Sequence, residues 1–174
     1  MGIGITKIRQ IKIPVTDLAA SVQWYRNLRD LEPAFEFYEE GAVRGVVLLE
    51  TDADLHTSLR ERAFCASTPD LAGFDVVALK VDDDQTLPRL MERCRRLAVP
   101  HCDIHDRGPY GAALDVPDPD GTVLRFLYEP DTYPRGFSGI EFAPDGTPSP
   151  YREPRLPQPT PSTDTRNTPP PGAH

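Results

Sequence analysis

Apolar residues at Ile11, Ile13 and Val15 alternate with more polar ones, the period-two pattern of a strand with one buried face. Asp17 follows as a helix-capping candidate, and Leu18, Val22, Tyr25 and Leu28 then recur at helical spacing. The same plan returns at an offset of 66, since position 11 maps to 77. Val77, Leu79 and Val81 alternate, Asp82, Asp83 and Asp84 supply caps, and Leu87, Leu90, Met91, Cys94 and Leu97 form an apolar helical stripe. Gly45 and Leu48 correspond to Gly111 and Leu114, and Asp52-Ala53-Asp54 to the turn Asp118-Pro119-Asp120. Strand-like segments match as well: 34–39 with 102–105, and 44–50 with 110–116. Each half reads as strand, helix and three strands. The expected fold is α+β, two tandem βαβββ modules over residues 6–62 and 72–130.

Alternation then divides each strand between two faces. Ile11, Ile13 and Val15, with Val77, Leu79 and Val81 and with Leu124, Phe126 and Tyr128, face the helices. The opposite faces are expected to curl into a shared cupped trough. Gln10, Lys12, Thr57, Leu59, Val76, Ala78, Val123, Arg125 and Leu127 would line it. A mixed apolar and polar trough suits a small molecule.

Composition narrows the partners. The 174 residues carry 19 Lys and Arg against 27 Asp and Glu, a net charge of −8, which excludes a phosphate-binding basic surface and hence nucleic acid. Arg93, Arg95 and Arg96 read as the solvated face of one helix. The chain has no apolar run of membrane-spanning length, and its first residues lack the basic start and apolar stretch of a secretory signal. Three cysteines, Cys65, Cys94 and Cys102, without Cys-x-x-Cys spacing fit a reducing, cytoplasmic setting. The 20 prolines are uneven, nine in residues 1–130 and eleven in 131–174. Residues 131–143 keep Tyr133, Phe137, Ile140 and Phe142, enough for a packed extension, and 144–174 read as a Pro-rich flexible tail.

The run Gln10-Ile11-Lys12-Ile13-Pro14-Val15-Thr16-Asp17-Leu18, followed by Ser21 and Trp24-Tyr25-Arg26, resembles the opening motif of the vicinal oxygen chelate superfamily. Glyoxalase I, bleomycin-resistance proteins and extradiol dioxygenases belong to that superfamily. Gly73–Asp82 resembles its fifth strand, and Tyr110-Gly111 leads to Asp118-Pro119-Asp120-Gly121 and the final strand. The resemblance implies a homodimer and, in enzymes, a divalent metal held from the first, fourth, fifth and eighth strands. The matching positions are Gln10, Leu59, Val76 and Arg125. Arg has no lone pair to offer and repels a cation, so the expectation is no cofactor and no usual metal site.

His101, Asp103 and His105 would share one face of a continuous strand, either as an unusual metal or base site or, the reading preferred, as an exposed polar face. Arg125 has two readings, an ion pair within the sheet with Glu36, Glu61 or Asp103, or an anchor for an anionic ligand. The functional reading is therefore a metal-free small-molecule binder taking an aromatic or anionic ligand. Tyr110, with Trp24, Phe35, Phe37 and Tyr38, would stack on it, and Lys12 and Arg125 would hold its polar end. The alternative is an enzyme of the same superfamily, a lyase, isomerase or dioxygenase, with an atypical metal site or with Glu61, His105 or Tyr110 as base. A third class is a scaffold that only dimerises.

Overall fold

The computed structural model describes residues 6–50, 53–144 and 147–156. Residues up to Tyr133 form one compact unit, and those from Pro134 a second. In the first unit the chain runs β1 (Gln10–Val15), α1 (Leu18–Arg29), β2 (Glu32–Glu39), β3 (Ala42–Glu50) and β4 (Leu55–Glu61), then β5 (Asp75–Lys80), α2 (Thr86–Arg96), β6 (His105–Asp106), β7 (Ala112–Pro117) and β8 (Val123–Tyr128). The strand orders are β1-β4-β3-β2 and β5-β8-β7-β6, so the two sheets repeat one topology. Each is closed by a parallel pair, β1 with β4 and β5 with β8. The expected α+β fold of two βαβββ modules is what the chain adopts.

Local chemistry accounts for the helices. Asp17 caps α1 by accepting from the Ala20 amide at 3.0 Å. At α2 the acidic run acts one step earlier: the helix starts at Thr86, whose hydroxyl donates to both Asp82 and Asp83. Ile13, Val15, Leu28 and Leu59 from the first module and Leu87, Leu114, Leu124 and Phe126 from the second share one core. The helices meet across it at equivalent positions. Arg93 Nε donates to the Asn27 carbonyl at 2.9 Å, and these residues are 66 apart, which places a pseudo-twofold axis between the helices.

Two expectations differ. The segment 101–104 is not a strand: the Cys102 amide donates to the Asp115 carbonyl at 3.1 Å, but the ladder with β7 holds His105 and Asp106 alone, so the His101-Asp103-His105 stripe lacks the continuous pairing that would align it. In the second unit β9 (Gly139–Phe142) pairs antiparallel with β10 (Pro148–Tyr151). The boundary expected between 143 and 144 therefore falls inside a hairpin, and prolines 148 and 150 lie in its second strand. An isolated two-stranded ribbon tolerates them because each strand is an edge. The rest of the expected tail, 157–174, lies outside the described residues.

Candidate functional site

The face of each sheet turned away from the helices follows from one bond. Arg29 of α1 donates to Thr57 Oγ1 at 3.1 Å, so Thr57 points toward the helix and its neighbours His56 and Ser58 point away. Cross-strand register carries this outward: Gln10 lies opposite His56, Lys12 opposite Ser58, Val47 opposite Ser58, and Phe35 opposite Val47. The helix-free face of the first sheet thus carries Gln10, Lys12, His56, Ser58, Val47, Phe35 and Phe37. Val47 and Ser58 are buried, whereas the Phe35 and Phe37 rings are open to solvent and meet edge-on at 5.2 Å.

Leu59 is not on this face. It is fully buried in the helix-side core with Ile13 and Val46, and Thr57 is likewise on the helix side. The 66-residue offset fails here by one. Lys12 pairs with Ser58, but position 78, its equivalent, pairs with Arg125, which is 67 beyond Ser58. A bulge between Asp75 and Val77 goes with the slip, and Val76 sits half-buried in it. Ser58 is therefore the residue related to Arg125.

Arg125 itself is engaged. It faces Asp115 directly across the β7–β8 ladder, and Nε and Nη2 each donate to that carboxylate at 2.8 Å. Nη1 lies 2.5 Å from Asp75. The Asp115 hydrogen bond pushes the guanidinium above its ordinary value, with the charges of Asp115 and Asp75 adding to it. Of the two readings, the ion pair is the one formed, with Asp115 and Asp75 rather than Glu36, Glu61 or Asp103. One cation between two carboxylates leaves that cluster with a net negative charge. Tyr110 is buried in the short turn before β7, its ring edge-on to Tyr133 at 5.9 Å, and not on a strand face. Glu61 is committed to Arg44 on the helix side at 2.8 Å.

Sequence reasoning missed the importance of His56, Asp75 and Asp115. Asp115 was countable, because the turn 118–122 closes on the pair Pro117 and Val123 and the next same-face pair inward is 115 with 125. His56 needed the β1–β4 register, which no local pattern carries.

A family profile described as Glyoxalase/Bleomycin resistance protein/Dioxygenase superfamily matches residues 7–126, more than half of the chain. The chain belongs to that superfamily. Among solved structures, a superfamily member from Sphaerobacter thermophilus is similar at TM-score 0.61 and 18% identity, over 72% of this chain and 98% of that one. TnmS3, an antibiotic-binding protein from Streptomyces, is similar at 0.58 and 18%, over 74% and 100%. The fosfomycin resistance protein FosX from Listeria monocytogenes, complexed with Mn(II) and 1S,2S-dihydroxypropylphosphonic acid, is similar at 0.59 and 15%, over 73% and 95%. No curated protein matches. At these identities the likeness is one of fold.

Within the superfamily fold, the residues at the metal-bearing positions decide what the face can hold. Of the positions to which the sequence resemblance points for a metal, Gln10, Val76 and Arg125 stand as expected in the sequence, and the observed register puts Ser58 in the place of Leu59. The neutral donors nearest are Gln10 and, opposite it, His56, whose Nδ1 is buried with no hydrogen-bond partner among the described residues. On the first sheet Gln10 and His56 are two neutral donors beside the charged Lys12, short of the three protein ligands that a divalent ion takes in such sites. Among the described residues no group of three His, Cys, Asp or Glu converges on a point where an ion would sit. No described helix is long and apolar enough to cross a membrane.

Proposed function

We propose that the helix-free face binds a flat aromatic small molecule without a divalent metal. The observation that carries this reading is the pairing of an exposed aromatic surface with a donor set unsuited to a cation. Phe35 and Phe37 offer ring faces and edges for stacking, and Lys12, exposed on the same face, offers a charge for an anionic or hydrogen-bonding end. Arg125 contributes shape and local polarity rather than net positive charge, because Asp75 and Asp115 neutralise it. The antibiotic-binding TnmS3 supports the ligand class by fold only.

The reading extends to a homodimer. β2 is an edge strand exposed along its whole length, and Tyr38 near its end is 70% exposed. Such an edge is usually covered, and a second copy would cover it here. A reducing compartment suits Cys65, Cys94 and Cys102, all free thiols.

The test is a thermal-shift screen of planar aromatic acids and their neutral analogues, repeated on Phe37→Ala and Lys12→Ala. Stabilising hits lost in Phe37→Ala, and weakened for acids only in Lys12→Ala, are expected. Hits that need added metal, or that survive Phe37→Ala unchanged, would overturn the reading. Mass spectrometry of any hit after incubation distinguishes binding from turnover.

A further inference from the structure

The pseudo-twofold axis relates two contacts between a turn and a helix start, and the described residues make them differently on the two sides. On one side the β7–β8 turn is latched to the start of α1. Asp118 accepts from Tyr25 Oη at 2.9 Å, Asp120 accepts from the Thr16 amide at 2.9 Å and from the Thr16 hydroxyl, and Arg62 Nη2 donates to Asp120 at 3.1 Å. On the other side the β3–β4 turn stands in the same relation to the start of α2. The positions equivalent to Thr16 and Tyr25 are Asp82 and Met91. A thioether has no proton to donate, and Asp82 would repel the carboxylates of the turn. Asp54 of that turn is bonded instead to Lys7, and Asp82 to the Asp83 amide and the Thr86 hydroxyl.

Beside Ala53 and Leu55 a cleft of about 450 Å³ lies between the modules along the edge strand β5, lined by Leu79 from its helix-facing side and by Lys80 from the other. Its wall is apolar through Leu55, Leu79 and Leu90 and polar through Arg29, Glu50 and Lys80. Arg29 is 97% buried at its side chain (3% exposed) and is held in place by Thr57 and Glu50. Lys80 is 66% exposed and is tied to Glu129 at 3.2 Å, a pair open enough to solvent to exchange readily. Glu50 neutralises Arg29, so Lys80, which can exchange Glu129 for another anion, is the cation this lining offers.

We propose that this cleft is a second small-molecule site, for a compact apolar body carrying one anionic group. The apolar part fills the gap against Leu55, Leu79 and Leu90, and the anion sits at Lys80 beside the buried Arg29. The volume suits a bicyclic or medium-chain acid. The proposal is independent of what the helix-free face binds.

The test uses 2-naphthoate as probe, with 2-naphthylmethanol as its neutral analogue, and follows leucine methyl resonances of the full chain. Saturable shifts are expected at Leu55, Leu79 and Leu90 with 2-naphthoate, about tenfold weaker in Lys80→Glu. Ala53→Trp, an exposed change at the rim, should block the site while leaving the folded spectrum intact. Equal affinity for the alcohol, no effect of Lys80→Glu, or shifts confined to Leu49 on the helix-free face of β3 would overturn the proposal.

Discussion

The two ends of the pseudo-twofold axis start from the same arrangement of strand, turn and helix and finish as opposites. At one end Asp118 and Asp120 bind Thr16, Tyr25 and Arg62; at the other, Asp82 and Met91 stand where Thr16 and Tyr25 would be, and a cleft opens. Repetition of a fold therefore does not repeat its interfaces. The Thr16 and Tyr25 side chains donate to one turn, and the side chains of Asp82 and Met91 have no matching donor for the carboxylate of the other.

The comparison can be broken most severely at a pair of glycines 66 apart. Gly111 has φ +89°, and a Cβ there would lie 1.9 Å from the Tyr128 carbonyl oxygen, whereas at Gly45 the nearest atom would be 3.1 Å away. Gly111→Ala should cost about 4 kcal/mol in denaturant unfolding and Gly45→Ala about 1 kcal/mol. Equal costs would mean that the two modules share one backbone strain.

The latch comes next. Asp118 is 5% exposed and accepts from Tyr25 and from the Asp120 and Thr122 amides, each at 2.9 Å. Asp118→Ala leaves those donors buried and should cost about 3 kcal/mol, and Tyr25→Phe about 1 kcal/mol. At the open end Asp54→Ala should produce no measurable change in the unfolding midpoint. A loss at Asp54 comparable to that at Asp118 would show that the open end is latched after all.

A smaller effect has a sign that separates the two carboxylates bridging the modules. Burial, opposed by the Tyr25 hydrogen bond, pushes Asp118 above the ordinary carboxylate range. The folded state then holds the proton longer than the unfolded one, so this contribution is complete below that range and is lost as pH rises through the raised value. The Arg93 hydrogen bond holds Asp30 below its ordinary value, so its contribution is present above that range and is lost as pH falls. Between about pH 4 and 7, the stability of the wild type relative to Asp118→Asn should fall with rising pH. The same difference for Asp30→Asn should rise or stay level. Slopes of one sign for both would refute the assignment.

Much of this was legible in the sequence. Period-two and helical patterns with the 66-residue offset were enough for both modules, and Asp17 was readable as a cap because its effect is local. The faces of β4 were not readable. A bulge near Val76 shifts the register by one residue, and with period two that exchanges Ser58 for Leu59. The partners of Arg125 were misplaced for a similar reason, since Asp75 and Asp115 come from strands whose register depends on turn lengths. The hairpin of β9 and β10 was missed because the proline content from 144 onward reads as a flexible tail, while an edge strand accepts prolines 148 and 150.

The central claim is that the helix-free face works without a divalent ion. Chelator-treated protein should be titrated with Mn(II) and Zn(II) by calorimetry, with Gln10→Ala and His56→Ala as controls. The account expects no stoichiometric binding and identical traces for all three proteins. One tightly bound ion per chain, weakened in Gln10→Ala or His56→Ala, would contradict it.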